Sequence, residues 1–446
     1  MQANLLIERH ISMQFYYKWV LFFLVAILLS ACQSMPKTSS AYDVVEQIKQ
    51  SDQQLKQVNL SSVASNELDY LTESAAVLQA LERNPAFNSQ LQTINLSRAD
   101  IQQASQLANP DLFYAFGVAN KAYRYAIDFP IEALWLRPIR MKQAEYKAKS
   151  VSYQMIQIGY NLIRDTRLAY GQVVIARERL QTLEALYHLK NVIYQMVDTK
   201  QQLGEISQQE VLLAKSAMLV ASRDWEVAKI DVKMAETKLF ALIGQDNQAT
   251  TLAMSQQLIP ACEATDVSNI KALALASRPD ILSAEMTVMA SQSTSKLSRS
   301  DWIRVTASAD ATSGQKTGHT LGPALRFTLP IFNQNQGQIA RADAELKKAE
   351  FDLAAVKQQA ALEIDTAHLQ YQRDCLDWQQ LHEKVLPNAL QAIRFSEEAY
   401  QKGDIAYLNI LESAKDYSDG LLKEVQLKES LIASWSNLMR SKAHPK

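Results

Sequence analysis

A chain of 446 residues with a formal charge of −1 carries no basic field for nucleic acid. Its 11 glycines and 11 prolines are few for this length, which favours long helices over loop-rich folds. Its three cysteines, Cys32, Cys262 and Cys375, lack the paired spacing of a metal site. No phosphate-binding glycine loop, G-x-S-x-G elbow or H-E-x-x-H motif occurs. The six histidines, His10, His188, His319, His368, His382 and His444, are scattered. The chain is therefore read as no enzyme, with no catalytic, metal or cofactor site.

Residues 1–31 read as a signal peptide. Lys18 precedes the apolar run from Trp19 to Leu29, which is short for a membrane span. Met13 makes a better start than Met1. Leu29-Ser30-Ala31-Cys32 resembles a bacterial lipoprotein box, with Cys32 as the acylated (palmitate-bearing) first mature residue; an ordinary signal peptide with a chance cysteine is the other reading. Residue 33 is Gln rather than the Asp used for inner-membrane retention, which favours the outer membrane. Residues 32–70, polar and rich in Ser and Gln, are expected to form a lipidated, extended arm.

Helical pattern begins near Ser74, is interrupted at Asn84-Pro85 and resumes to about Ala108. The period then changes. Leu112, Tyr114, Phe116 and Val118 alternate with small residues. After Asn120-Lys121, Tyr123, Tyr125, Ile127 and Phe129 alternate with Arg124, Ala126 and Asp128. This predicts a hairpin over 111–131 with one apolar, aromatic face and one polar face. In a membrane barrel the apolar face would meet lipid.

A helix is expected from about Arg137 to Gln201, ending at the break Leu203-Gly204-Glu205-Ile206. The next helix carries heptad steps at Val211, Ala214, Met218, Ala221, Trp225, Ala228, Val232, Ala235, Leu239 and Leu242, a coiled-coil seam. Gly244 ends it, and 245–270 reads as a linker.

The pattern then repeats. Arg278-Pro279-Asp280-Ile281 echoes Asn84-Pro85-Ala86-Phe87. A second hairpin spans about 302–331, from Ile303 through Val305, Ala307 and Ala309 to Leu321, Leu325, Phe327 and Leu329. Pro330 matches Pro130 as a strand end that cannot donate to a ladder. Asn333 and Asn335 are expected to cap the following helix. That helix shows heptad steps from Ala342 to Ala360 and has neither glycine nor proline until Pro387. Gln401-Lys402-Gly403-Asp404-Ile405 matches the first break. The chain divides into repeats over 71–244 and 271–440, with a tail over 441–446.

The junction Leu329-Pro330-Ile331-Phe332-Asn333-Gln334-Asn335-Gln336-Gly337 resembles the outer membrane efflux (TolC-type) family, and its Asn-Gln-Gly ending is most similar to the heavy-metal cation (CzcC-like) branch. The resemblance covers about 70–440. The first junction, Pro130-Ile131-Glu132, departs from the glycine-rich family form.

The fold implied is mainly α with a membrane β-barrel portion: a long coiled-coil α-barrel plus four strands per protomer in a shared trimeric β-barrel. Strand count alone requires oligomerisation, since about eight strands are needed to close a membrane barrel. The homotrimer comes from the resemblance. So do a periplasmic adaptor protein and an inner membrane pump as partners, alongside outer membrane lipids. The function implied is a passive efflux channel for small solutes, with metal cations hinted at by the junction. The alternative is a periplasmic coiled-coil adaptor or scaffold lipoprotein.

The resemblance also places the two breaks at the inner periplasmic end. The tip set is Gly204, Glu205, Glu210, Lys402, Gly403, Asp404, Asn409 and Glu412. Where the family often carries Asp-Val-Leu-Asp-Ala, this chain has Asn409-Ile410-Leu411-Glu412-Ser413. The gate's basic residue would fall at Ile405, leaving Lys402 as the nearest substitute. Glu210 and Glu412 read either as gate acids or as solvated helix surface. Cys262 and Cys375 fall at similar heights from the tips, open to a disulfide or to two buried thiols.

Overall fold

A computed structural model describes residues 39–51, 71–116, 123–245, 262, 267–302, 304–314 and 318–442. The expected signal peptide, Cys32, most of the arm and linker, the Asn120-Lys121 turn, Ile303 and the extreme C-terminus lie outside the described residues.

Ten helices and four strands are described. They are α1 (Ala41–Ser51), α2 (Glu73–Arg83), α3 (Pro85–Ser105), β1 (Asp111–Ala115), β2 (Tyr123–Pro130), α4 (Ala133–Gln202), α5 (Gln208–Ile243), α6 (Val267–Ser277), α7 (Pro279–Ser300), β3 (Val305–Gly314), β4 (Gly318–Phe327), α8 (Gln336–Gln380), α9 (Leu386–Lys402) and α10 (Tyr407–Ser441). The architecture is mainly α, with long antiparallel helix pairs and one four-stranded sheet. Among the described residues no helix is long and apolar enough to cross a membrane.

Helix α4 has 70 residues and spans about 105 Å at 1.5 Å per residue. It starts earlier than the pattern near Arg137 suggests and runs through Pro138, because Ala133 and Leu136 are buried and hold its first turns. Helix α1 is a correction to the extended arm. Ser40 and Asp43 cap each other's backbone N–H at its start, a reciprocal box that the polar composition hid. Its Val44 and Ile48 are fully buried. Gly159 on α4 admits them: a Cβ there would meet Ile48 Cδ1 at 2.4 Å.

The break at Asn84 is a helix start. Its Oδ1 accepts from Phe87 N–H at 2.9 Å, and its Nδ2 donates to Leu242 O at 2.9 Å, tying the start of α3 to the end of α5. Gly244 closes α5 at φ +68°, and a Cβ there would meet Arg83 O at 2.5 Å. The neighbouring α2 is buried continuously from Ala75 to Leu81.

Helices α4 and α7 approach closely through small residues. Ser150 Oγ lies 3.0 Å from Ser283 Oγ and 2.9 Å from Thr287 Oγ1, and Gln143 Nε2 donates to Thr294 at 2.7 Å. A buried Arg278 at the start of α7 donates to Asp280 at 2.6 Å and to Glu363 on α8 at 2.9 Å. Arg440 on α10 meets the same Glu363 at 3.0 Å.

The second long helix is not continuous. A π turn at Leu381–Val385 separates α8 from α9. Pro387 cannot donate, and its ring crowds the carbonyl four residues back, so the ladder widens ahead of it; Leu386 N–H reaches Leu381 O.

The strands form one antiparallel sheet in the order β1-β2-β3-β4. Asp128 stands opposite Asp111 and Ser308, and Thr306 opposite Pro130 and Arg326. Both edge strands, β1 and β4, have one unpaired side.

Cys262 is disulfide-bonded to Cys375 on α8, with Cα atoms 5.8 Å apart. The bond packs among Tyr371, Trp435, Leu431 and Leu438. It closes a long loop, for which chain-entropy reasoning gives about 4–5 kcal/mol of stabilisation. Unfolded, unreduced mature protein should show neither of these thiols, and reduction should release both; two thiols titrating before reduction would contradict the pairing.

Candidate functional site

The two helix breaks have the same backbone form. Glu205 N–H reaches Lys200 O at 3.0 Å, and Asp404 N–H reaches Ala399 O at 2.9 Å. Gly204 and Gly403 carry the left-handed residue of each turn, at φ +80° and +85°. Nothing lies within 4 Å of a Cβ at either one, so glycine serves the backbone sign here and not close packing.

A shared apolar core holds the four helix ends together. Ile193, Val197, Val211, Ala214, Ile393, Tyr400, Tyr407, Ile410 and Ala414 are buried in it. Ile206 and Ile405, one from each break, pack against it. The position of the family's basic residue thus contributes an apolar contact.

Lys402 at the tip is exposed. Lys200 on α4 stands there as well. Its Nζ donates to Tyr400 O at 3.0 Å, lies 4.6 Å from the Tyr400 ring centroid and stands 4.0 Å from Glu205. A cation over an aromatic face is favourable, the more so when partly desolvated. Lys200 escaped the sequence reading because its partner comes from the other repeat.

Glu210 is also placed differently from a solvated surface acid. It is half-buried, and its Oε2 is enclosed without a hydrogen-bond partner, as are the hydroxyls of Tyr400 and Tyr407. The two rings lie edge to face, 6.3 Å apart. Burial first, then Tyr400 and Glu210, push the Tyr407 phenol up to about 12. Burial, with Glu210 and Glu205, raises Tyr400 as well. Glu205, Asp404, Asn409 and Glu412 are exposed.

At the other end, the strand–helix junctions are stitched by backbone. Ile131 N–H reaches Val305 O at 3.0 Å, and Thr328 N–H reaches Arg304 O at 3.1 Å. Pro130 is the last residue of β2, and Pro330 lies just beyond β4. The expected caps on α8 are not made. Asn335 adopts φ +65° with no side-chain cap bond. Its Nδ2 donates instead to Ser298 O at the end of α7, at 2.9 Å, while its own N–H is taken by Asn333 Oδ1 at 2.9 Å. Gln336 Oε1 accepts from Gln334 N–H at 3.1 Å, and a Cβ on Gly337 would meet nothing. These residues join two helix ends rather than capping one.

The sheet has two unlike faces. Leu112, Tyr114, Tyr123, Tyr125, Ile127, Phe129, Leu321, Leu325 and Phe327 are exposed on one. On the other, Arg124 meets Asp310, while Asp128 accepts from Ser308 and from Arg326. Among the described residues no group of His, Cys, Asp or Glu could hold a metal ion. His382 stacks on Trp378 at 5.0 Å and lies 2.8 Å from Glu424.

With a folded value near 12 against about 10 unfolded, Tyr407 keeps a proton that the unfolded chain loses first. Its contribution is complete below pH ~10 and is lost as pH rises toward ~12. The thermal midpoint of the wild type should therefore fall more steeply over that window than that of Tyr407→Phe. Equal slopes would count against a buried phenol.

Residues 272–443, the second repeat, match the family described as Outer membrane efflux protein. The cobalt-zinc-cadmium resistance protein CzcC of Cupriavidus metallidurans is 22% identical over 352 residues, covering 77% of this chain and 83% of that protein. The outer-membrane channel OprN superposes with a TM-score of 0.73 at 17% identity, covering 93% of this chain and 98% of that one. The outer membrane protein VceC of Vibrio cholerae does so with 0.72 at 16%, covering 83% and 96%. The structural likenesses show the fold; the sequence matches show that residues 272–443 resemble the outer membrane efflux protein family and that the chain is similar to CzcC.

Proposed function

We propose that this chain is one protomer of a passive outer membrane channel, a homotrimer that works with a periplasmic adaptor protein and an inner membrane pump in efflux. The observation that carries this reading is the sheet: four strands, apolar on one face, charged on the other, with both edges open. Lipid cannot satisfy edge N–H and C=O groups, each of which costs several kcal/mol. Four strands cannot close by themselves, whereas three copies bring twelve. Exposed Trp135, Trp302 and Phe332 at the strand–helix boundary suit a membrane interface.

The helices support the same assembly. Val220, Val227 and Met234 on α5, and Leu362, Leu369 and Leu376 on α8, are exposed at seven-residue intervals. Such stripes are seams for a neighbouring helix. An adaptor or scaffold would use the helices but has no use for an apolar-faced sheet. In this reading the acids at the tip line the narrow end, with Glu412 exposed to the passage and Glu210 holding the closed form. Transport through a lined path needs no catalysis. The likeness to CzcC, a cobalt-zinc-cadmium resistance protein, supports metal cations as cargo. Acylation of Cys32 would anchor the arm in the outer membrane through several buried chains at about 0.8 kcal/mol per CH₂.

Purified protein should run as a heat-sensitive trimer in detergent and conduct ions in planar bilayers. A monomer that never conducts would exclude the channel and leave the scaffold. Labelled palmitate should enter the wild type and not Cys32→Ser; no label in either would remove the anchor alone.

A further inference from the structure

On the polar face of the sheet four charges stand in two cross-strand pairs, and a fifth, Asp111, is exposed opposite Asp128. Arg124 on β2 reaches Asp310 on β3 with Nε at 3.1 Å and Nη2 at 2.5 Å from Oδ2. Asp128 on β2 accepts from Ser308 on β3 and from Arg326 on β4 at 3.3 Å. Small residues stand opposite Asp310, Ala126 on one side and Gly322 on the other. The arginine reaches diagonally across to Asp310, on the face where Phe113 stands opposite Ala126. The first pair sits toward the hairpin ends of the strands, the second toward the helices.

Stability is a weak reason for these pairs. The arginine side chains are 50% and 66% exposed, and exposed pairs of this kind contribute little to stability. Charge cancellation is a stronger one. In a narrow aqueous passage with low-dielectric walls, an unpaired wall charge selects ions by sign. We infer that Arg124–Asp310 and Arg326–Asp128, beside the exposed Asp111, form a girdle of paired charges that sets the ion preference of the barrel end, with Arg124 and Asp310 its tunable pair. The inference rests on the channel reading, which turns this face toward the lumen.

Reversal potentials in a salt gradient test it on the assembled protein. Arg124→Gln exposes Asp310 and should shift permeability toward cations. Asp310→Asn exposes Arg124 and should shift it toward anions. Each shift should be about threefold, the size of one unit charge acting through water over ~7 Å. Arg124→Gln with Asp310→Asn together should return to the wild-type ratio, as should the swap of Arg124→Asp with Asp310→Arg. Shifts of the same sign, or none, in conducting variants would overturn the girdle. So would loss of the assembled trimer in both single variants, because the pair would then be a strut. A wild type that does not conduct would strike the channel reading itself.

Discussion

The unpaired edges of the four-stranded sheet govern the rest of the molecule. A ladder must end somewhere, and at β1 and β4 it ends on open donors and acceptors. In water such edges invite aggregation; in lipid they are forbidden. A face that is apolar and aromatic removes water as the solvent for this sheet. In the channel reading proposed above, its edges are then paired to other copies. The duplicated chain suits that end, since each repeat supplies one hairpin and one long helix pair of the same polarity.

The helical body must stay straight over a long span so that the hairpins meet their neighbours. Small residues and hydroxyls let α4 and α7 lie close, with Ser150 bonded across to Ser283 and Thr287. Arg278, only 3% exposed, is held by Asp280 and Glu363, and Arg440 shares Glu363 from α10. Loss of Glu363 would take the shared partner from both arginines and leave the buried Arg278 with Asp280 alone. The cluster binds three helices that the hydrophobic seams alone would leave free to slide.

Much of this could be read from residue order. Period-two alternation located both hairpins, and Gly204 and Gly403 marked turns that need positive φ. These features are local, so composition and spacing reveal them. What escaped was tertiary. Helix α1 hid in a Ser- and Gln-rich stretch because its inward face is short, with Val44 and Ile48 fully buried and Ala41 and Val45 beside them. Asn333 and Asn335 looked like caps, yet Asn335 spends its amide on Ser298 of another helix. Glu210 reads either as a gate acid or as helix surface, and its half-buried place near Tyr400 and Tyr407 depends on the other repeat. Lys402 is the nearest cation in sequence, whereas Lys200 reaches Tyr400 in space. The π turn was announced only by Pro387, whose effect on the ladder depends on whether neighbouring helices hold the chain helical.

The chemistry around Lys200 has an environmental consequence. An ion pair at an exposed helix tip weakens as salt rises, since the Debye length shrinks from about 10 Å at 0.1 M to about 3 Å at 1 M. Lys200 is held chiefly by a carbonyl oxygen and an aromatic face, with Glu205 only at the 4.0 Å limit. Ile405 adds packing where a charge could have stood. Contacts of these kinds act at close range, within the first layer of atoms, where dissolved ions do not enter. The helix ends at Gly204 and Gly403 are therefore fastened in a way that changes little between dilute and saline surroundings.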